Sequence, residues 1–206
     1  MIFEGNIGVG KTLLAQKIAR QYRVPFLQEN FKENPFLKKF YEDPVTYALD
    51  LENHFMEDRF QQFQTFIYDT KGNSSVVADH SLFRSLIFAK INLSPSDFDV
   101  FKKHYLERSK TFSFPVKVIF LKHTIDRLKK NIIRRGRTFE QKISTEYLKK
   151  IERGYQSFFS HESEFDFCTV DLTDLDFVKE EADYQIILLR IKAFLAFGKN
   201  PIKPHH

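Results

Sequence analysis

The chain has 206 residues, of which 42% are hydrophobic and 29% are charged. These proportions predict one globular domain with a full apolar core, and they exclude a largely disordered chain. A single cysteine, Cys168, excludes an internal disulfide framework and a multi-cysteine metal site. No apolar run approaches the roughly 20 residues of a membrane span, and the amino terminus enters a strand-like segment without a signal-peptide pattern. We therefore expect a cytoplasmic protein that does not contact a membrane.

The charge balance is mildly basic. Thirty-two Lys and Arg residues against 27 Asp and Glu residues give a formal net charge of +5, which favours anionic partners such as nucleotides or nucleic acid. The 24 Phe and eight Tyr residues would suit base stacking, but aromatic side chains are first of all core material. Composition alone leaves both kinds of partner open.

Five short apolar runs predict β-strands, and stretches with helical periodicity separate them. The predicted strands are residues 1–4, 25–28, 76–78, 116–121 and 167–170. This alternation is typical of an α/β protein with a parallel sheet. We predict one domain over residues 1–198 and a polar tail over residues 199–206.

The predicted helices cover 11–23, 45–68 and 177–197, with three more that begin after capping residues. The three caps are Ser94, Thr124 and Ser144, and the helix after Ser94 is predicted to end near residue 112. In the last helix, the spacing of Ile187, Ile191 and Leu195 predicts that these side chains face the core.

The most specific motif follows the first strand. Its residues are Gly5, Asn6, Ile7, Gly8, Val9, Gly10, Lys11 and Thr12. They satisfy the phosphate-loop pattern G-x-x-x-x-G-K-[ST], with the required strand before it and helix after it. In such a loop the backbone N–H groups bind phosphate oxygens at a helix N-terminus. Lys11 is predicted to reach the β- and γ-phosphates, and the Thr12 hydroxyl to ligate Mg²⁺.

Two carboxylates follow neighbouring predicted strands. Asp79 ends the third strand, where phosphate-loop proteins keep an acid near the metal, so we predict that it helps to place Mg²⁺. Glu29 follows the second strand, in the crevice where open α/β sheets bind ligands. A carboxylate there suits a base that accepts the proton of an attacking hydroxyl. The residues after Asp79 lack a glycine-containing GTPase switch, which favours transfer to an acceptor molecule.

Together these motifs resemble the deoxynucleoside kinases, in particular the bacterial deoxyguanosine and deoxyadenosine kinases. The resemblance rests on the phosphate loop, on Glu29, on the run NPFLKKFYEDP at 34–44 and on RGRTFE at 135–140. It extends to about residue 155. It implies a three-layer P-loop kinase fold with a five-stranded parallel sheet, flanking helices and an Arg-rich lid. It also implies a homodimer that transfers the γ-phosphate of ATP to the 5′-hydroxyl of a deoxynucleoside.

The resemblance assigns further roles by position. Glu29 matches the base at the 5′-hydroxyl, and Tyr41 and Glu140 match the pair that holds the 3′-hydroxyl. Arg134, Arg135 and Arg137 match the lid; Arg134 would contact the nucleotide, and the other two would stabilise charge on the transferring phosphoryl group.

At one point the sequence departs from the family pattern. Many members have an acid-Arg-Ser motif after the third strand, whereas this chain has Asp79-His80-Ser81. A neutral histidine does not replace a guanidinium charge. We predict that Arg84, about one and a half helical turns further on, returns that charge to the substrate.

A second departure concerns base recognition. The long second helix carries Glu52 where the family has a glutamine, with Phe55 on the same stripe as a further substrate contact. An ionised carboxylate only accepts hydrogen bonds, which suits the adjacent donors of guanine. This favours a purine, with deoxyguanosine first. The alternative is that Glu52 faces solvent or an arginine such as Arg59.

Two other functions remain as alternatives. A nucleoside monophosphate kinase similar to thymidylate kinase shares the fold, the loop and the lid arginines, but its acceptor phosphate would be repelled by Glu29 unless an arginine intervened. A non-catalytic nucleic-acid-binding protein would use the net charge and the lid arginines, but it leaves Glu29, Tyr41 and Glu140 without a role. We therefore expect a small-molecule partner and not nucleic acid.

Overall fold

The structure is a computed structural model that describes residues 1–70, 75–112, 116–161 and 166–198. The predicted polar tail, 199–206, lies outside the described residues. No helix in the described ranges is long and apolar enough to cross a membrane.

Five parallel strands form one sheet, as the sequence predicted. They are β1 (Ile2–Gly5), β2 (Phe26–Leu27), β3 (Val77–Ala78), β4 (Lys117–Lys122) and β5 (Asp166–Asp171). Their order across the sheet is β2-β3-β1-β4-β5, and every pairing is parallel. Each strand bound lies within one residue of its prediction.

Eight α-helices connect or follow these strands in the described part of the chain. They are α1 (Lys11–Tyr22), α2 (Leu37–Glu42), α3 (Pro44–Thr70), α4 (Arg84–Asn92), α5 (Pro95–Ser109), α6 (Ile125–Arg135), α7 (Thr145–His161) and α8 (Glu181–Phe197). The side-chain oxygens of Ser94, Thr124 and Ser144 accept backbone N–H bonds from the residue three positions on, at 3.2, 3.4 and 3.0 Å. The three predicted caps are thus confirmed.

Two helices were not predicted, and one helical face was predicted wrongly. Helix α2 is only six residues long, and α4 buries Arg84 and Ser85 beside apolar residues, so neither gives a clear apolar period. In α8, Leu195 is 44% exposed while Phe194 is 1% exposed. Phe194, three residues after Ile191, continues the buried stripe in place of Leu195.

The helices cover both faces of the sheet, which gives three layers. Alternate residues of β4 point to opposite sides: Ile119 and Leu121 belong to the cluster that contains α1 and α8 residues, whereas Val118 and Phe120 pack with α4 and α7 residues. Because the strands are parallel, the segments that leave β1, β2 and β3 meet at one edge of the sheet, where ligands bind in open α/β folds.

Candidate active site

The phosphate loop lies between β1 and α1, and its conformation requires glycine at two positions. Gly5 has φ +143°, and a Cβ there would lie 2.4 Å from the Leu121 carbonyl oxygen. Gly8 has φ +81°, and its Cβ would lie 2.8 Å from the Leu128 carbonyl oxygen. A side chain at either position would clash with backbone and strain the loop. The backbone is therefore held in one curve that leads into the N-terminus of α1.

The ammonium group of Lys11 lies folded against this loop. Its Nζ donates to the carbonyl oxygens of Gly5 and Asn6 at 2.8 and 2.9 Å. Burial and, next, the charge of Arg84 lower the pKa of Lys11 to about 7. A buried ammonium that has only carbonyl partners is suited to an anionic ligand, because phosphate charge would favour its protonated form.

Two residues of the motif do not line the cavity beside the loop. The Asn6 side chain points away: its Nδ2 donates to the Leu148 carbonyl at 2.8 Å, and its Oδ1 accepts from the Ile7 N–H at 2.8 Å. Gly5 is buried at the end of β1, beside Leu121 of β4. Gly5 and Asn6 thus shape the loop from behind, and their contact with a nucleotide stays a prediction that this cavity lining does not support.

Thr12 and Asp79 meet beside the loop, as predicted. The Thr12 hydroxyl donates to Asp79 Oδ2 at 2.6 Å, and the Glu29 backbone N–H donates to Oδ1 at 2.8 Å. Burial alone would raise the pKa of Asp79, but His80 and Thr12 outweigh it, so the pKa lies below its usual value. An ionised carboxylate beside a hydroxyl is a donor set that fits Mg²⁺. The described residues contain no group of three or more His, Cys, Asp or Glu at metal-binding distance, and Mg²⁺ usually takes its other ligands from water and phosphate.

Glu29 is the centre of a charged network with Arg59 and Arg84, and the part of the cavity that these three residues line is called the acceptor end below. Its Oε1 accepts from Arg59 Nε at 2.8 Å and lies 2.7 Å from Arg59 Nη2, and its Oε2 lies 2.7 Å from Arg84 Nη1. Burial acts to raise the pKa of Glu29, but the charges of Arg84 and Arg59 hold it well below its usual range. Glu29 is therefore ionised and fixed in orientation.

A second buried carboxylate, Glu4 in β1, supports Arg84 from below. Glu4 is fully buried, and its Oε2 lies 2.7 Å from Arg84 Nη2 and 2.6 Å from the Tyr155 hydroxyl. Its Oε1 accepts from the Ser81 hydroxyl at 2.6 Å. Burial acts to lower the pKa of Arg84, but the charges of Glu29 and Glu4 outweigh it and raise that pKa well above its usual value. The sequence analysis missed Glu4, although a charged residue within an otherwise apolar strand signals such a role.

The Asp79-His80-Ser81 segment explains how Arg84 reaches the site. His80 is fully buried and packs edge-on against Phe63 with 5.2 Å between ring centroids, while Ser81 bonds Glu4 and caps the Arg84 N–H at 3.1 Å. Arg84, the first residue of α4, thus lies with its guanidinium beside Glu29, and its contact with the substrate stays a prediction.

One cavity of about 460 Å³ joins the phosphate loop to the acceptor end. Apart from Gly5 and Asn6, every predicted site residue lines it. These residues are Ile7, Gly8, Val9, Gly10, Lys11, Thr12, Glu29, Tyr41, Glu52, Phe55, Asp79, Arg84, Arg134, Arg135, Arg137 and Glu140.

Two of the predicted lid arginines belong to helix α6, and two of the three form ion pairs with Glu140. Arg134 and Arg135 form the last turn of α6, and Gly136 ends that helix with φ +71°. Arg135 forms an ion pair with Glu140, and Arg137 Nη1 donates to Glu140 at 3.0 Å. The guanidinium of Arg137 also lies 3.5 Å above the centroid of the Phe31 ring. Arg134 and Arg135 therefore belong to a helix, and only Arg137 follows it.

Tyr41 and Glu140 lie close together, but they do not share a hydrogen bond here. The Tyr41 ring stacks on Phe139 at 6.0 Å, and burial and the charge of Glu140 both raise the pKa of Tyr41 well above its usual value. Both Glu140 oxygens instead accept from Arg135 and Arg137. Glu140 therefore pairs with neighbouring arginines and not with Tyr41.

Glu52, in α3, also lines the cavity. It is 1% exposed, and its Oε1 accepts from Asn92 Nδ2 at 2.7 Å. Arg59, about two helical turns further along α3, bonds Glu29 and donates to the Ser85 hydroxyl at 2.8 Å, and its guanidinium lies 4.8 Å above the Phe55 ring. Glu52 therefore neither faces solvent nor pairs with Arg59. Sequence reasoning missed Asn92, and named Arg59 only as a partner for Glu52.

The parallel sheet, the phosphate loop and the network of carboxylates and arginines around Glu29 define a P-loop kinase. Comparison with known proteins gives the family: the model described as "Deoxynucleoside kinase" matches residues 1–196. The chain belongs to the deoxynucleoside kinase family and is a phosphotransferase that acts on a deoxynucleoside.

Individual relatives agree with this assignment. The chain is 32% identical over 197 residues to a deoxyguanosine kinase of Bacillus subtilis (strain 168), covering 93% of this chain and 95% of that protein. It is 30% identical over 159 residues to a deoxyadenosine kinase of Dictyostelium discoideum, covering 75% of this chain and 64% of that protein. A deoxyadenosine kinase structure from M. mycoides with bound dATP superimposes with a TM-score of 0.79 at 21% identity, over 93% of this chain and 98% of that one.

Proposed function

We propose that this kinase transfers the γ-phosphate of ATP to the 5′-hydroxyl of a purine deoxynucleoside, with Glu29 as the group that receives the hydroxyl proton. The observation that carries the proposal is the Glu29 carboxylate, fixed 2.7 Å from Arg84 Nη1 and 2.8 Å from Arg59 Nε in the same cavity as the phosphate loop. One cavity would thus hold the phosphates at one end and, at the other, an oriented carboxylate that can accept a hydrogen bond from the substrate hydroxyl.

At the donor end, the backbone N–H groups of residues 7–12 and the Lys11 ammonium would bind the phosphates of ATP. Thr12 and Asp79 would hold Mg²⁺, which neutralises phosphate charge when it is bound. Because Lys11 has only carbonyl partners, at 2.8 and 2.9 Å, it is free to exchange one of them for a phosphate oxygen.

At the acceptor end, the low pKa of Glu29 limits what it can do. A carboxylate stabilised by two guanidinium groups is a weak base, so it would orient the 5′-oxygen by accepting its hydrogen bond and take the proton late, when the bond to phosphorus has begun to form. Arg84 would then face the developing negative charge. Catalysis would come mainly from positioning and charge stabilisation.

The sugar would be held by Tyr41 and Glu140. A phenol and a carboxylate can together donate to and accept from one 3′-hydroxyl. Binding there would compete with the ion pairs from Arg135 and Arg137 to Glu140. The arginines released in this way would be available to the phosphates, as a lid at this position requires.

A nucleoside monophosphate kinase is the nearest alternative, and the structure weakens one argument against it. Two arginines, Arg59 and Arg84, do lie beside Glu29, so charge repulsion alone would not exclude an acceptor phosphate. However, both guanidinium groups are already paired with Glu29, and Arg84 is also paired with Glu4. This favours a neutral hydroxyl acceptor.

A homodimer and a cytoplasmic location complete the proposal. Helices α3 and α5 pack on each other and carry exposed apolar side chains, among them Val45 at 94% and Val100 at 68% exposure. Self-association that buries such side chains would be favourable. Light scattering on the purified chain would test the dimer.

The reaction is tested by incubating the protein with Mg²⁺ and ATP and each of the four deoxynucleosides, beside the four deoxynucleoside monophosphates. We expect ADP formation with one or both purine deoxynucleosides, and a loss of at least about 100-fold in kcat for Glu29→Gln. Transfer to monophosphates alone would overturn the acceptor assignment.

A further inference from the structure

Glu52 has an unused hydrogen-bonding atom at the acceptor end of the cavity. Its Oε1 accepts from Asn92 Nδ2 at 2.7 Å, but its Oε2 is buried and has no hydrogen-bond partner among the described residues. Leaving such an atom unpaired is costly in a folded protein. Since Glu52 lines the cavity with Phe55 and Tyr147, a ligand group is the natural partner for Oε2.

The two protonation states of a carboxyl group suit different nucleobases. An ionised carboxylate only accepts, and it pairs with the adjacent N1–H and N2–H donors of guanine. A neutral carboxyl both donates and accepts, and it pairs with the N1 acceptor and N6–H donor of adenine. Cytosine presents the same acceptor–donor arrangement at N3 and N4. One side chain can therefore recognise either edge, but not in the same charge state.

The surroundings of Glu52 leave both states accessible near neutral pH. The groups that face it are Arg59 on its own helix, Asn92 on α4, Glu29 after β2, Tyr41 on α2 and Tyr147 on α7. Burial raises the pKa of Glu52 to about 7, opposed mainly by the charge of Arg59. Arg59 is itself paired with Glu29, so it does not hold Glu52 ionised by an ion pair of its own.

We propose that the protonation state of Glu52 decides which base is accepted: guanine when Glu52 is ionised, adenine when it is neutral. The choice between the two purine deoxynucleosides would then depend on pH. This inference rests on the proposed function, because it assumes that the base of a deoxynucleoside lies beside Glu52.

The test is the ratio of kcat/KM for deoxyguanosine to kcat/KM for deoxyadenosine between about pH 5.5 and about pH 8.5, a range that spans the titration of a carboxyl raised to neutral pH. If each base requires one charge state, the ratio equals a constant multiplied by the ratio of ionised to neutral Glu52. It should therefore rise about tenfold per pH unit. Deoxyguanosine would gain and deoxyadenosine would lose as the pH increases.

Glu52→Gln is the matched control, because the amide has nearly the same shape and does not titrate. It donates and accepts at every pH, so we expect a ratio that is constant with pH. A second control needs only the wild-type protein: the ratio of deoxycytidine to deoxyadenosine should stay constant with pH, because both bases present the same edge to Glu52.

Three results would overturn the inference. One is a wild-type ratio of kcat/KM for deoxyguanosine to kcat/KM for deoxyadenosine that does not change with pH. Another is a ratio that rises with pH in Glu52→Gln as it does in the wild type, which would place the titration in a different group. The third is a deoxycytidine-to-deoxyadenosine ratio that changes with the same slope. Failure to phosphorylate any deoxynucleoside at any pH would instead overturn the proposed function, on which the inference depends.

Discussion

At the phosphate end of the cavity the backbone defines the site, whereas at the acceptor end buried charged side chains define it. The loop from Gly5 to Thr12 is one continuous segment, held by two glycines that tolerate no Cβ. The acceptor end instead joins Glu4, Glu29, Arg59 and Arg84, which come from β1, the segment after β2, α3 and α4.

This difference has an energetic consequence. A loop whose groups are backbone amides and one lysine makes few charged contacts before the ligand arrives. The charges of the acceptor network pair with one another, and each depends on the others to remain buried. We therefore expect substitutions at the two ends to separate activity from stability.

The largest effect is expected for Arg84→Met. The substitution would leave Glu4 and one oxygen of Glu29 buried without their charged partner, which costs about 3–5 kcal/mol. Urea unfolding monitored by circular dichroism should show this loss in the free energy of unfolding, together with loss of activity. Arg84→Lys keeps the charge but not the planar fork, so its free energy of unfolding should lie between those of the wild type and Arg84→Met. A loss below about 1 kcal/mol for Arg84→Met would contradict the account of a coupled network.

Lys11→Met is expected to lower activity without lowering stability. Removing the group that reaches the β- and γ-phosphates should lower kcat by about 10²–10³-fold, which corresponds to about 2.7–4 kcal/mol. Because burial of the ammonium lowers its pKa to about 7, the charge costs stability in the unliganded protein, and its removal should leave Tm unchanged or higher. A fall in both Tm and kcat would show that Lys11 also supports the fold.

Gly8 in the phosphate loop can be compared with Gly136, the glycine that ends α6. Gly8→Ala combines φ +81° with a Cβ 2.8 Å from a backbone oxygen, so it should cost more than about 2 kcal/mol and raise the KM for ATP. Gly136→Ala has φ +71° but no atom within 4 Å of the new Cβ, so only the conformational cost of about 1–2 kcal/mol applies. Equal losses in the two variants would show that the close approach at Gly8 is unimportant.

The smallest effect is expected for Tyr41→Phe, which removes one hydroxyl. If this hydroxyl bonds the 3′-hydroxyl of the sugar, kcat/KM for the deoxynucleoside should fall about 10-fold, or about 1.4 kcal/mol. With a 2′,3′-dideoxynucleoside the wild type and the variant should be equal, since the partner is absent. A similar loss with both substrates would assign Tyr41 a packing role against Phe139.

The sequence predicted the backbone-defined end almost completely, because its determinants are adjacent in the chain. The strands were predicted to within one residue for a related reason: each is a short apolar run between helical patterns. Tyr41 and Glu140 became candidates through resemblance to a family, since nothing in the local sequence connects them, whereas Glu29 followed from its place after a predicted strand.

The rest depended on tertiary contacts that no local pattern contains. Helix α4 was missed because Arg84 and Ser85 lie on its buried face, which removes the apolar period. The role of Glu4 and the pairing of Arg59 with Glu29 follow from side chains that meet only after the sheet and α3 have packed. The ion pairs from Arg135 and Arg137 to Glu140 likewise depend on how α6 ends at Gly136.

The most direct test of the account is the position of the transferred phosphate on the product. The protein would be incubated with ATP, Mg²⁺ and deoxyguanosine, and the product examined by proton-coupled phosphorus NMR. We predict a triplet, because a phosphate on the 5′-oxygen couples to the two 5′ protons when Glu29 orients that hydroxyl. A doublet, from a phosphate on the 3′-oxygen, would contradict the assignment of Glu29 and of Tyr41 and Glu140 to the two ends of the sugar.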